Sequence, residues 1–418
     1  MTKMYQIEKK MVYKAWLAVK ANAGAAGIDA QTIKEFDKDW KNQLYKLWNR
    51  MSSGSYMASP VRKVEIPKPD GGRRCLGIPT IADRVAQATV KGILEPGMDE
   101  DFHPNSYGYR PNKSAHDALE QARQNCFRYS FVIDIDIKGY FDNIPHDLLL
   151  EMVVNRVKEP WIILYIRRWL KAKSRDSKGF ITERDRGTPQ GGVISPLLAN
   201  LYLDQVFDKW MNIEHAGTKF ERYADDIIIH VRTRREAEDV LETIRERMER
   251  YGLELHPDKT KIVHCKDCYR NGNHKDLSKK FDFLWYEFKP RAAKRTDGSF
   301  YTVFTPAIST KSKKRIRKRI KESRVLKMTE ITIEQVAKDL NKFMIGTINY
   351  YGKFRRSELY EVSYLLDYRI VKWIRKKYKS CRGRLAGWKE LTKLKKENVR
   401  LFAHWHMLQT SYVIARAV

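Results

Sequence analysis

Acidic residues are in short supply: 51 Asp and Glu stand against 81 Lys and Arg, a net charge of +30 on 418 residues. A surplus of that size repels itself in isolation and points to a polyanionic partner, nucleic acid before anionic membrane. Long apolar runs are lacking too. None approaches the roughly 18 residues of a membrane span, and Met1-Thr2-Lys3-Met4-Tyr5-Gln6 has no apolar signal segment, so the expectation is a cytoplasmic protein with no membrane role. The five cysteines are too few and odd in number for a disulfide framework, and a reducing compartment suits them. Repeats of fixed period and long low-complexity tracts are also missing. What is present, 42% hydrophobic and 32% charged residues, is enough for two or three ordinary cores.

The positive charge is concentrated. Residues 289–418 hold 33 Lys and Arg against 10 Asp and Glu, which is +23 of the total. Residues 1–60 read as helices around a glycine-bearing turn at 22–29. A hairpin follows, with strands over 61–67 and 73–78 and a turn at 68–72, then a helix over 81–94. Further strands are expected at 131–137 and across 219–231, and a charged amphipathic helix over 235–251 capped by Gly252. From about 290 the chain turns basic, aromatic and helical. The division expected is an N-terminal helical extension (1–60), an α/β body (61–290) and a basic helical region (291–418).

The carboxylates carry the first chemical signal. Strand alternation in Phe131-Val132-Ile133-Asp134-Ile135-Asp136-Ile137 puts both aspartates on one face. Like charges side by side repel, so a bound cation is the natural counter-charge; a polar, solvent-facing strand side reads equally well from this segment alone. Asp225 and Asp226 sit at the tip of a second hairpin. Together with Asp136 they are the minimum that can hold two Mg²⁺ ions, which prefer a few carboxylates plus water and substrate phosphates. Two such ions, roughly 4 Å apart, can activate an attacking hydroxyl and stabilise a leaving oxygen in phosphoryl transfer.

Tyr223-Ala224-Asp225-Asp226, with the Asp136 strand running into Gly139-Tyr140-Phe141-Asp142, resembles the palm of reverse transcriptases. Further blocks narrow the resemblance to group II intron reverse transcriptase/maturases. They are Asn22-x-Gly24-x-x-Gly27-Ile28-Asp29, Ile66-Pro67-Lys68-Pro69-Asp70-Gly71-Gly72 with Leu76-Gly77-Ile78-Pro79, and Ser106-Tyr107-Gly108-Tyr109-Arg110-Pro111. Gly187-Thr188-Pro189-Gln190-Gly191-Gly192, Ser195-Pro196-Leu197-Leu198-Ala199-Asn200 and Phe281-Asp282-Phe283-Leu284 continue it in order.

The resemblance implies an α+β right-hand polymerase, with fingers and palm built on antiparallel sheet and an α-helical thumb/maturase region after them. It implies an RNA-directed DNA polymerase that also binds intron RNA and aids splicing and mobility. Asp136, Asp225 and Asp226 would bind two Mg²⁺, with Mn²⁺ as a substitute. Phe141 would exclude a 2′-hydroxyl, with Tyr140 as the alternative. Lys68 and Arg74 would meet the incoming triphosphate, Gln190 and Gly191 would lie against template and nucleotide, and Lys259 would sit near the nucleotide phosphates and donate a proton to pyrophosphate. Lys313, Lys314, Arg315, Arg317, Lys318 and Arg319, with Tyr350, Tyr351, Arg375, Lys376 and Lys377, would grip RNA or template-primer by backbone contact and stacking. The partners implied are a structured RNA, an RNA template with a DNA or RNA primer, and dNTPs. A homodimer is left open.

The pattern has departures. Trp285 stands where the family usually has glycine and Thr347 where it often has tryptophan, which bears on thumb placement. The expectation is a member of the family without the Cys/His-rich endonuclease domain that many relatives carry. Cys265-x-x-Cys268, with His264 and His274, gives half a zinc pattern without a second pair at finger spacing. Two other readings remain: a domesticated or defence-linked enzyme of the same branch acting on a non-intron RNA, and an RNA-folding chaperone with a vestigial polymerase site.

Overall fold

The computed structural model describes residues 4–67, 72–270, 272 and 274–408. The chain divides into two compact units, one of residues 1–125 with 131–262 and one of 126–130 with 263–418.

In the first unit β1 (Val61–Pro67) and β2 (Arg73–Ile78) pair antiparallel from Arg62↔Ile78 to Pro67↔Arg73. Their predicted turn, with Lys68, lies almost wholly outside the described residues. Next, β3 (Phe131–Asp136) enters a second sheet, while β4 (Ser174–Arg175) and β5 (Ile181–Thr182) extend the first one in the order β2-β1-β4-β5. The second sheet runs β6 (Lys219–Tyr223), β7 (Asp226–Val231), β3, β8 (Lys261–His264). Ile227 to Val231 are all buried, so β7 is covered on both faces and its β-branched run suits that position. In β3, Val132 is buried like its neighbours, so the aspartate-bearing face opens only at Asp134 and Asp136.

The helix Arg234–Arg250 packs against β3 and β7 of this sheet. The helix expected over 81–94 runs Ile81–Asp101, passing through Pro96, and Thr80 starts it by accepting the Asp83 N–H at 3.1 Å. Pro96 removes a hydrogen bond without ending the helix, which is why the sequence reads as a stop there. The N-terminal helix Lys9–Ala21 packs on it, with Trp16 and Phe36 rings 4.7 Å apart beneath. Arg234–Arg250 is the expected charged helix, opened by a Thr233/Glu236 capping box.

In the second unit β9 (Phe281–Phe283), β10 (Tyr286–Lys294) and β11 (Phe300–Ile308) form an antiparallel sheet, followed by helices Thr310–Glu322, Ile333–Tyr351, Tyr360–Lys377 and Arg384–Glu397. The compact division falls at 262/263. Side chains explain it: the Tyr286 hydroxyl donates to the Tyr350 carbonyl, the Tyr286 and Phe354 rings meet at 5.4 Å, and Arg291 lies 3.8 Å from Glu358. The sheet is part of the helical core. That core closes around Asp367, which accepts from the Trp405 indole at 2.8 Å and the Lys395 ammonium at 2.6 Å and is paired with His404 at 2.8 Å. Among the described residues no helix is long and apolar enough to cross a membrane.

Candidate active site

The strand register brings the carboxylates together. Asp136, last in β3, is the direct partner of Asp226, first in β7, and residues opposite one another in an antiparallel pair share a face. Ala224 and Asp225 form the turn between β6 and β7, with Ala224 left-handed at φ +58°. Desolvation and the Asp136 charge raise the Asp225 carboxyl above the usual range. Asp226 keeps an exposed rim. Even so, desolvation by the surrounding protein, then the charges of Asp225, Asp134 and Asp136, push its carboxyl up to about 7. Lys259 Nζ sits 3.4 Å from both Asp136 carboxylate oxygens and Lys261 Nζ 3.6 Å from Asp134, partial counter-charge for a site still rich in acid.

Such a set fits a hard cation. Among the described residues no three His, Cys, Asp or Glu side chains already close around one point. Mg²⁺ does not require that, since it takes one or two carboxylates and fills its octahedron with water and phosphate oxygens. At the zinc pattern of 264–274 the His264 and His274 rings meet edge to face at 4.8 Å.

Behind the Asp225–Asp226 turn lies a buried scaffold that the sequence reading missed. The fully buried Arg222 donates through Nε to Asp208 at 2.7 Å, through Nη2 to the other Asp208 oxygen, and through Nη1 to Asn200 Oδ1 at 3.0 Å and the Ala224 carbonyl at 3.2 Å. Asn200 Nδ2 then donates to the Gly108 carbonyl at 2.7 Å. A Cβ on Gly108 would lie 2.4 Å from the Ala224 nitrogen, so this glycine lets the 106–111 loop touch the turn. Consecutive charges at Glu221 and Arg222, on opposite faces of a strand, were the available signal. Glu221 is also buried, between Asn125 Nδ2 and His230 Nε2, each at 2.6 Å.

On the nucleotide side, Phe141 is half-buried, with Tyr140 edge-on at 5.5 Å and Tyr109 at 6.4 Å and 90°. Tyr140 itself is buried and donates to the Ala199 carbonyl at 2.5 Å, so the alternative gate is a core residue. Gln190 Nε2 reaches Asp142 Oδ2 at 3.1 Å and its carbonyl accepts from Gly77 N at 2.8 Å. Gly191 has φ +120°, and a Cβ there would lie 2.7 Å from the Gly77 carbonyl oxygen, so the obstruction it avoids is the β2 backbone. Burial raises both the Asp225 carboxyl and the Tyr109 hydroxyl, and the nearby Arg74 charge offsets part of that rise.

The basic residues of the second unit split into two sets. Lys314, Arg315, Lys318, Arg319 and Lys376 are exposed, the Arg315 guanidinium 4.5 Å over the Trp285 ring and that of Arg319 4.2 Å over Phe343. Trp285 is half exposed and left-handed at φ +68°, completing with Leu284 the two-residue β9–β10 turn. Others serve the fold itself. Lys313 pairs with Glu358 at 2.5 Å, Arg317 with Glu361, Arg375 with the Arg382 carbonyl at 2.8 Å, and Lys377 with the Ile331 carbonyl at 2.5 Å. Tyr351 corrects the stacking expectation, because it is buried with its hydroxyl on Ser312 Oγ at 3.0 Å, and a core ring cannot receive a base. Tyr350 is half-buried and donates to the Leu284 carbonyl at 2.9 Å, while Thr347 bonds its own helix at the Phe343 carbonyl.

Residues 66–288 match the family of reverse transcriptases (RNA-dependent DNA polymerases), and residues 313–391 match the group II intron maturase-specific domain. The chain is 31% identical to protein YkfC of Escherichia coli strain K12 over 310 residues, 63% of this chain and 81% of that protein. It is 33% identical to the group II intron-encoded protein LtrA of Lactococcus lactis subsp. cremoris over 227 residues, 54% of this chain and 37% of LtrA, so it spans little more than a third of that relative. A solved structure of telomerase from Candida albicans, with a fragment of telomeric RNA, aligns over 92% of this chain and 69% of its own at TM-score 0.47 and 12% identity. With an antiparallel α+β polymerase body carrying the paired aspartates, and a helical region matching the group II intron maturase-specific domain after it, the chain belongs to the reverse transcriptase family of RNA-directed DNA polymerases.

Proposed function

We propose that this chain copies RNA into DNA from a DNA or RNA primer and dNTPs, and that it binds a group II intron or similar structured RNA to assist splicing and mobility. Divalent metal is the family's usual cofactor and RNA its partner class. Asp136, Asp225 and Asp226 would hold two Mg²⁺ ions, which when bound supply charge neutralisation and activation of the primer hydroxyl. The protein's own groups do the rest. Arg74 meets the triphosphate together with Lys68; Lys259 orients against Asp136 and supplies a proton to the leaving pyrophosphate; Phe141 closes the space a 2′-hydroxyl would need; Gln190 and Gly191 line the template side. Exposed Lys314, Arg315, Lys318, Arg319 and Lys376 meet RNA phosphates.

The observation that carries this reading is the register of Asp136 against Asp226, with Asp225 in the adjoining turn. The test is primer extension on an RNA template with Mg²⁺ or Mn²⁺. Extension that EDTA stops supports the reading, and no extension with either metal overturns it. RNA recovered by crosslinking in native cells separates intron from non-intron partners.

A further inference from the structure

Tyr109 is an exposed aromatic, 54% accessible, and it holds φ at +57°, a conformation bulky side chains seldom adopt. Core packing does not account for it. Its neighbours are clamped on both sides: Tyr107 N donates to the Arg222 carbonyl at 2.8 Å, and Gly108 is pressed on the Ala224 backbone with its carbonyl held by Asn200. Arg110 binds Asp99 at 2.6 Å and the His103 and Ser106 carbonyls at 2.7 and 2.9 Å. The clamp fixes the Tyr109 ring perpendicular to Phe141, at a centroid distance of 6.4 Å. Phe141 also meets Tyr140 edge-on at 5.5 Å, and Tyr140 is tied to the Ala199 carbonyl. Phe141 therefore touches one buried ring, Tyr140, and one exposed ring, Tyr109.

We propose that Tyr109 is a specificity-determining positioning residue, which sets discrimination between dNTPs and rNTPs by holding the Phe141 ring edge-on. The proposal rests on the reading of Phe141 as the residue that excludes a 2′-hydroxyl. Edge-to-face pairs of this kind shift an equilibrium by roughly two- to tenfold.

The test is the ratio of kcat/KM for a dNTP to that for the matching rNTP, measured with the full chain on an RNA template and a DNA primer. Tyr109→Gly removes the ring while accepting the positive φ, Tyr109→Phe keeps the ring, and Phe141→Ala removes the gate. The expected result is a two- to tenfold fall in the ratio for Tyr109→Gly at unchanged melting temperature, a wild-type ratio for Tyr109→Phe, a larger fall for Phe141→Ala, and no further fall on adding Tyr109→Gly to it. If Phe141→Ala relaxes the ratio but Tyr109→Gly does not, or lowers both efficiencies equally, the proposal is overturned and the Phe141 reading stands. Should Tyr109→Gly be inert, Tyr109→Leu gives the same reading. An unchanged ratio in Phe141→Ala overturns both.

Discussion

Replacing Arg222 with Met should destabilise the first unit through one identifiable cause. The guanidinium and the Asp208 carboxylate are both fully buried, and Arg222 also serves Asn200 Oδ1 and the Ala224 carbonyl. Breaking a buried ion pair from one side costs about 3–5 kcal/mol, because the remaining charge is uncompensated. The two abandoned acceptors push the figure toward the upper end, at about 1–3 kcal/mol for each one left unsatisfied. Against a domain stability of about 5–15 kcal/mol this is large. The loss should depend on pH in a defined direction. Burial already pushes the Asp208 carboxyl up despite Arg222, and removing the cation pushes it further. A carboxyl raised in the folded state favours the protonated form, so the penalty is full above the raised value and fades as pH falls toward the unfolded value of about 4. Urea unfolding followed by circular dichroism at pH 8 and pH 5 reads both effects. The added change Asp208→Leu should recover most of the loss. A deficit under about 1 kcal/mol at pH 8, or a double variant no better than the single one, would refute the reasoning.

Other expectations are as specific. Gly191→Ala meets the Gly77 carbonyl at a φ that side chains avoid, and steady-state extension should fall by about five- to 150-fold, as strain of about 1–3 kcal/mol at the site implies. In the second unit, burial alone would raise the Asp367 carboxyl, but the charges and hydrogen bonds of His404 and Lys395 outweigh it and hold it below the usual range. Its contribution is present above the unfolded value and lost as pH falls through the folded one. Asp367→Asn should therefore cost about 3 kcal/mol near neutrality and progressively less in acid, measured by thermal melts across pH. Lys314→Ala and Lys376→Ala should each lower the salt slope of RNA binding by about one, whereas Lys313→Ala, already paired with Glu358, should leave the slope near wild type and lower the melting temperature.

Particular residues show which features were readable from the chain. Asp136 and Asp226 were legible because strand alternation and a hairpin tip constrain where such side chains point, and the register obeyed both. The β1–β2 hairpin followed from its glycine-rich turn and flanking β-branched residues. Tyr351 was not legible, since helical spacing alone does not separate a ring that stacks on RNA from one that fills a core. Arg222 needed Asp208, Asn200 and the Ala224 carbonyl, partners in three different elements. Tyr109 lay within a quoted motif, but its significance comes from a left-handed backbone and a neighbour 32 positions along the chain. Residues 281–308 joined the helical core through Tyr286 and Arg291, contacts that composition does not report.

The central claim is that Asp136, Asp225 and Asp226 form the polymerisation site, and the most direct measurement is primer extension on RNA by the Asp225→Ala, Asp226→Ala double variant beside wild type, with RNA binding measured on the same preparations. The account predicts no detectable DNA synthesis and RNA affinity equal to wild type. Extension comparable to wild type would contradict it.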